Sequence, residues 1–84
     1  MKTREEIQDW LEEKIAAATR RQPSEVGIDV PFTDFGIDSI VVVTLAVDLE
    51  DWMGVRLDAT IFWEHPTIRD LTEWLLQAEV SESL

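Results

Sequence analysis

Ser39 is the side chain in this sequence that is best placed to take part in chemistry. It lies in the run FGIDSI, residues 35–40, where a loop containing Gly36 meets the start of an apolar helix. Asp38 is predicted to be the N-cap of that helix, because its carboxylate can accept backbone N–H groups left unpaired in the first turn. Ser39 then occupies the first helical position, where its exposed hydroxyl is accessible to covalent modification.

The sequence offers no arrangement typical of an enzyme active site. His65 is the single histidine, and it stands directly before Pro66 at a predicted helix junction. A catalytic pair would need His65 within reach of Ser39 and oriented by an acid, whereas a histidine at such a junction more often caps or packs. The G-x-S-x-G motif of a nucleophilic serine is also absent. We therefore expect a non-catalytic protein.

Three aspartates in the long loop could suggest a cation site. Their positions, Asp29, Asp34 and Asp38, do not match the spacing of a calcium-binding loop, and the glutamate that would close such a loop is missing. The sequence has no cysteine, which excludes disulfides and thiolate metal sites. We expect solvated loop carboxylates and no metal.

The size and charge of the chain limit the classes of function. Its 84 residues predict one small domain, and its 45% hydrophobic content argues against disorder. The 18 acidic and 7 basic residues give a net charge of −11. Nucleic acids and anionic membranes would be repelled, because binding to them depends on cationic contacts. Basic protein surfaces would instead be attracted.

The chain shows no targeting or membrane-spanning segment. No apolar run approaches the roughly 18–20 residues that a spanning helix needs, and the first residues lack the apolar core of a signal peptide. The sequence therefore predicts a cytoplasmic protein without a membrane partner. We separately expect a monomer.

The first helix is predicted to begin at Thr3, which can form a capping box with Glu6. Arg20 and Arg21 stand near its end, where cations complement the helix dipole. Its apolar stripe at helical spacing consists of Ile7, Trp10, Leu11, Ile15 and Ala18.

Residues 20–37 are predicted to form a long loop, because prolines and glycines interrupt them. A loop of this length in a small domain is expected to pack down or to serve a function. Phe32 and Phe35 can anchor the loop against the helices and thereby fix where Ser39 points.

Residues 39–53 are predicted to form the second helix, with Gly54 ending it. Its core face comprises Val42, Leu45, Ala46, Leu49, Trp52 and Met53. Ile40, Val43 and Val47 lie away from that face, and we interpret them as a docking strip for partner proteins. The alternative is a helix that is buried on two sides.

A short third helix is predicted over residues 59–64, with Asp58 as its cap, and Thr67 caps the last helix. Three tryptophans are expected to pack on or beside the core stripes: Trp10, Trp52 and Trp74. Trp63 in the short helix is expected to fill the core, and the alternative is that it borders a partner or ligand surface. The core stripe of the last helix comprises Ile68, Leu71, Leu75 and Ala78.

The predicted fold is all-α. It is a four-helix bundle with three longer helices, a short third helix and a long loop between helices one and two. Residues 1–84 form a single domain, with a helical core over about 3–78 and a flexible tail over 79–84.

Two motifs resemble those of acyl carrier proteins. The run FGIDSI at residues 35–40, followed by DLE at residues 48–50, is similar to that family's attachment motif. The run FWEHPT at residues 62–67 resembles its link into the last helix. The resemblance covers roughly residues 3–78 and implies that Ser39 carries a 4′-phosphopantetheine arm taken from coenzyme A.

The resemblance also implies the partners of the chain. A phosphopantetheinyl transferase would attach the arm, and an acyl-loading enzyme would place an acyl group on its thiol as a thioester. Ketosynthase or other synthase domains would then use that group. Asp38 would form part of the surface that the transferase and partners recognise, together with the docking strip. Glu50 and Asp51 would add acidic contacts, with Asp48 at the margin.

The assignment to a subclass of carrier proteins depends on fewer residues. Asp38 before the serine resembles carriers of fatty-acid and polyketide synthesis, and Ile37 departs from the Gly-Gly-His/Asp-Ser pattern of peptidyl carriers. The chain looks most like polyketide-type carriers, some of which pair with fatty acyl-AMP ligases; an acyltransferase is the other loading enzyme. Leu45 stands where carriers used in β-branching often have tryptophan, which counts against that role. The alternatives are a peptidyl or aryl carrier of a nonribosomal synthetase and an unmodified helical interaction module.

Overall fold

The computed structural model describes residues 2–83, with side chains described up to residue 78. All regular structure in these residues is helical, as predicted. The α-helices are α1 (Arg4–Thr19), α2 (Ser39–Met53), α3 (Ile61–Glu64) and α4 (Ile68–Ser83). Three longer helices and a short third one therefore form the bundle. Among the described residues, no helix is long and apolar enough to cross a membrane.

Local sequence sets both ends of α1. The Thr3 hydroxyl accepts the Glu6 N–H at 3.1 Å, and the Glu6 carboxylate accepts the Thr3 N–H at 2.9 Å, which confirms the predicted capping box. The Thr3 backbone N–H also lowers the pKa of the Glu6 carboxyl. The helix ends as Arg20 turns into the left-handed region, with φ of 58°.

Aromatic contacts show that α1 and α2 run in opposite directions. Trp10 and Trp52 stack with ring centroids 5.2 Å apart, and the Lys2 ammonium lies 4.8 Å from the Trp52 ring centroid. At the other end of α1, the Arg21 guanidinium carbon lies 5.5 Å from the Phe35 ring centroid. The start of α1 is thus beside the end of α2, and the end of α1 is beside the loop that leads into α2.

The core draws on all four helices and on the long loop. From the predicted stripe of α1, Ala18 is exposed and Ala16 is buried in its place. The remaining fully buried aliphatic and aromatic side chains are Ile7, Leu11, Ile15, Phe32, Val42, Leu49, Phe62, Ile68, Leu71 and Leu75. Trp10, Trp52 and Trp74 are half-buried and pack against this core, as predicted.

The long loop is held down rather than extended. It contains two 3₁₀ turns, at Pro23–Glu25 and Phe32–Phe35. Phe32 and Phe35 are both buried, which confirms their predicted role as anchors. The Phe32 N–H also donates to the Pro66 carbonyl at 2.7 Å. These contacts tie the loop to the junction between α3 and α4.

The third helix differs from the prediction in its start and in one side chain. It begins at Ile61, because residues 59–60 form a turn in which the Asp58 carboxylate accepts the Thr60 N–H at 3.0 Å. Trp63 is 49% exposed, so it does not fill the core. Phe62 is buried instead and meets Phe32 edge to face, with ring centroids 5.2 Å apart.

The last helix begins as predicted, since the Thr67 hydroxyl accepts the Asp70 N–H at 3.1 Å. Its backbone continues to Ser83, beyond the predicted end of the helical core at residue 78. The side chains of residues 79–83 and the whole of residue 84 lie outside the described part, so the flexible tail stays a prediction.

Candidate functional site

Asp38 caps α2 and places Ser39 at its first position. Asp38 is extended, with φ of −95° and ψ of 177°, and its carboxylate accepts the Val41 N–H at 2.9 Å. The Asp38 carbonyl accepts the Val42 N–H at 3.0 Å. Ser39 is exposed at this helix end. The predicted presentation of its hydroxyl is therefore present in the structure.

The loop in front of Ser39 is anchored on both sides of a tight turn. Phe35 is buried and Ile37 is half-buried, and between them Gly36 has φ of 74°. A side chain at position 36 would be strained, because L-residues rarely adopt this left-handed conformation. Two apolar anchors on either side of a tight turn thus direct the chain into the Asp38 cap.

The docking strip faces solvent. Ile40, Val43 and Val47 are 76%, 52% and 58% exposed. The face turned toward the other helices is buried and contains Val42, Leu45, Ala46, Leu49 and Met53. The alternative of a helix buried on two sides is therefore excluded, and an apolar surface runs from beside Ser39 along α2.

The acidic residues of α2 fall into two groups. Asp48 and Asp51 are exposed, whereas Glu50 is half-buried and its carboxylate accepts the Leu57 N–H at 2.8 Å. Glu50 thus fastens the connector to the end of α2. An open depression at this end of the helix reaches from Val47 to Arg56, and all three acidic residues line it.

His65 has a packing role. Its ring stacks on Trp74 with centroids 5.2 Å apart, and its Nδ1 lies 3.7 Å from the Asp70 carboxylate. These contacts hold the junction between α3 and α4, in agreement with the packing interpretation of this histidine.

The loop carboxylates serve different partners. Asp29 forms two hydrogen bonds with the Arg69 guanidinium, at 2.6 and 3.1 Å, while Asp38 caps α2. Sequence reasoning did not identify the Asp29–Arg69 pair, because the residues are 40 positions apart. It also did not place Arg21 against Phe35, four residues before Ser39. The only sequence signal was the pair of arginines at the end of the first helix.

Residues 9–75 match the protein family described as "Phosphopantetheine attachment site". The chain is 36% identical over 73 residues to the acyl carrier protein TtuC of Teredinibacter turnerae, covering 87% of this chain and 84% of that protein. The chain belongs to the phosphopantetheine-dependent carrier family and is an acyl carrier protein. The predicted family, fold and cofactor are confirmed.

Two further similar proteins show the contexts in which such carriers occur. The chain is 37% identical over 76 residues to erythronolide synthase EryA3 of Saccharopolyspora erythraea, covering 89% of this chain but 2% of that protein. A free-standing peptidyl carrier protein of Acinetobacter baumannii superposes with a TM-score of 0.85 at 32% identity, covering 89% of this chain and 94% of that one. Similar carriers therefore include both small separate proteins and short parts of very long synthases.

Proposed function

We propose that Ser39 is the residue that bears the phosphopantetheine arm. The observation that carries this assignment is the exposed hydroxyl at the first position of α2, directly after the Asp38 cap. Ser39 also lies inside the matched residues 9–75. The residues present fit the group, because the hydroxyl is accessible while the backbone on both sides of it is held in place.

The attachment chemistry needs only this hydroxyl from the chain. The Ser39 oxygen forms a bond to the phosphorus next to pantetheine in coenzyme A, and the bond from that phosphorus to the rest of the pyrophosphate breaks. A base of the transferase accepts the serine proton, and the nucleotide part of coenzyme A leaves with the bridging oxygen of the pyrophosphate. A phosphopantetheinyl transferase supplies the catalysis and recognises Asp38 beside the reacting oxygen. When attached, the arm supplies a terminal thiol that carries an acyl group as a thioester.

We further propose that this acyl carrier protein serves polyketide or fatty-acid-type synthesis. The likeness to erythronolide synthase EryA3 supports this role. A fatty acyl-AMP ligase or an acyltransferase would load it, and a ketosynthase or another synthase domain would take the group onward. Tethering raises the effective concentration of the acyl group at each partner active site. The chain would act as a cytoplasmic monomer.

The docking strip is proposed as the partner surface. Apolar side chains at the centre of a contact supply most of the binding energy when water is excluded. Asp48 and Asp51 are free to meet basic residues of a partner, which favours rapid association. Glu50 would contribute through the part of its carboxylate that does not bind the Leu57 N–H.

Mass spectrometry tests the attachment site. The unmodified protein is incubated with coenzyme A and a promiscuous transferase, and its intact mass is compared before and after treatment. We expect a gain of one phosphopantetheine, mapped to Ser39 by fragmentation. Ser39→Ala should fold and gain nothing, while the matched control Ser24→Ala, at another exposed serine, should gain the arm. Modification of Ser39→Ala would disprove the assignment.

A peptidyl or aryl carrier is the second candidate within the same class. The likeness to a peptidyl carrier protein favours it. Loading the modified protein with matched ligases for fatty acids and for amino acids separates the two candidates. Preference for the amino acid ligase would replace the acyl assignment. A folded protein that gains no arm at all would instead indicate the unmodified interaction module.

A further inference from the structure

Several arginines and lysines of this acidic chain lie against different kinds of partner. Arg4 and Arg69 pair with the carboxylates of Glu73 and Asp29. Lys14 lies over the ring of Trp10. Arg21 instead lies over Phe35, in the segment that leads to Ser39. Its guanidinium is therefore a cation held at the end of the bundle that carries the candidate attachment site.

The backbone at the end of α1 is shaped to send Arg21 in this direction. Arg20 has φ of 58° and ψ of 41°, a left-handed conformation that costs energy in residues other than glycine. The N–H groups of Arg20 and Arg21 both donate to the Ala16 carbonyl, the latter at 2.8 Å. The resulting turn ends the helix and brings the exposed Arg21 across the buried Phe35.

Phe35 and Ser39 are close along a constrained path. Four residues span at most about 14 Å when fully extended. The path is shorter than this limit here, because Gly36 turns in the left-handed region and Asp38 caps the helix. A phosphate on the Ser39 oxygen would therefore lie at the same end of the bundle as Arg21.

The negative charges at this end of the bundle favour the presence of a nearby cation. The Asp38 carboxylate is adjacent in sequence to Ser39, and the whole chain carries a net charge of −11. A phosphodiester on Ser39 adds a further negative charge beside Asp38. A guanidinium suits such a group, because its planar set of N–H donors can bind two phosphate oxygens at once.

We propose that Arg21 binds the phosphodiester of the arm attached to Ser39 and so restrains the direction in which the arm leaves the bundle. This inference rests on the proposed attachment at Ser39. Arg21 is a positioning residue, since it acts on the arm and takes no part in the chemistry at the thiol.

The experiment is ³¹P NMR of the modified protein, prepared as wild type, Arg21→Gln, Arg21→Lys and Arg56→Gln. Arg56→Gln is the matched control, because it removes the same charge beyond the far end of α2, and a helix of 15 residues is about 22 Å long. Intact mass shows that each sample carries one arm, and circular dichroism shows that each is folded. The phosphorus shift and linewidth are followed as NaCl is raised.

We expect Arg21→Gln to move the phosphorus resonance and narrow it, and high salt to do the same to the wild type. For an exposed ion pair, the ratio of bound to free arm should change by about 1.4- to 5-fold. Arg21→Lys should restore part of the effect, and Arg56→Gln should leave the spectrum unchanged. A purely structural Arg21 would alter stability without moving the phosphorus signal.

Failure of the Arg21 proposal and failure of the attachment at Ser39 give different experimental results. Equal phosphorus spectra for wild type and Arg21→Gln, in samples that carry the arm, overturn the role of Arg21 and leave the attachment at Ser39 intact. Equal changes in Arg21→Gln and Arg56→Gln also overturn it, because they indicate a general charge effect. A folded chain that gains no arm overturns the attachment itself and this inference with it.

Discussion

Asp29 and Arg69 join the long loop to the first turn of α4 through a bidentate ion pair. The guanidinium Nε lies 2.6 Å from one carboxylate oxygen, and a terminal nitrogen lies 3.1 Å from the other. The Arg69 N–H also donates to the Ile28 carbonyl at 2.9 Å. The hydrogen bond from Arg69 holds the pKa of the Asp29 carboxyl below its usual range. The loop that precedes Ser39 is therefore fastened by charge as well as by its phenylalanines.

Acid should weaken this fastening. Because the pKa of Asp29 is lower in the folded protein, its stabilising contribution is complete above the ordinary carboxyl pKa, about 4. The contribution is lost as pH falls through the lowered folded value. We expect Asp29→Asn to be less stable than the wild type at neutral pH, with the difference shrinking in acid. Urea unfolding at several pH values measures it, with Asp34→Asn as control. A difference that does not depend on pH would contradict the prediction.

The Asp38 cap should contribute to folding independently of any modification. Asp38→Ala removes the acceptor of the Val41 N–H and should cost about 0.5–2 kcal/mol in the free energy of unfolding. Asp38→Asn keeps a capping oxygen and should lose much less. Urea unfolding of the unmodified variants gives both values. If Asp38→Asn is as unstable as Asp38→Ala, the charge rather than the cap is responsible. If both match the wild type, the cap makes no contribution.

A charge placed in the docking strip should leave the fold intact but weaken the contact with a partner protein. Val47 is 58% exposed, so Val47→Asp should change the free energy of unfolding by no more than about 0.5 kcal/mol. Acyl loading of the modified variant should nevertheless slow, because the new carboxylate must lose its water in the contact. Gln77→Asp adds the same charge at an exposed site on α4 and should load normally. Unfolding of Val47→Asp, seen by circular dichroism, would mean that Val47 supports the core.

Thr72 offers a stability gain. It is completely buried on α4, and among the described residues its hydroxyl has no hydrogen-bond partner. Thr72→Val removes the unsatisfied hydroxyl while keeping the shape, so we expect unfolding to require about 1–3 kcal/mol more. Thr72→Ser keeps the hydroxyl, removes a methyl group and should be destabilised. Thermal unfolding ranks the three proteins. A less stable valine variant would show that the hydroxyl has a partner in solution.

The parts of the fold that depend on local sequence could be predicted. The Thr3 cap, the Asp38 cap and the Gly54 stop involve residues a few positions apart, and a 15-residue helix shows its apolar face clearly. The exposure of Ile40, Val43 and Val47 followed from that periodicity. The presentation of Ser39 followed from the cap.

Contacts between distant parts of the chain could not be predicted in this way. Trp63 belongs to a helix of four residues, too short for its spacing to distinguish a buried side from an exposed one. Asp29 and Arg69, Glu50 and the Leu57 N–H, and Arg21 and Phe35 meet only through tertiary folding. The two 3₁₀ turns of the long loop likewise depend on where its phenylalanines find space in the core.

The opposite directions of α1 and α2 have a practical consequence. Lys2 lies against Trp52, at the end of α2 that is farthest from Ser39. A tag or surface linker joined at the start of the chain would therefore lie roughly 20 Å from the hydroxyl, because 13 residues of helix separate Ser39 from Trp52. Immobilised through that end, the protein would form an oriented layer in which Ser39 points into solution, so enzymes acting on it could be compared on a sensor chip without obstruction by the support.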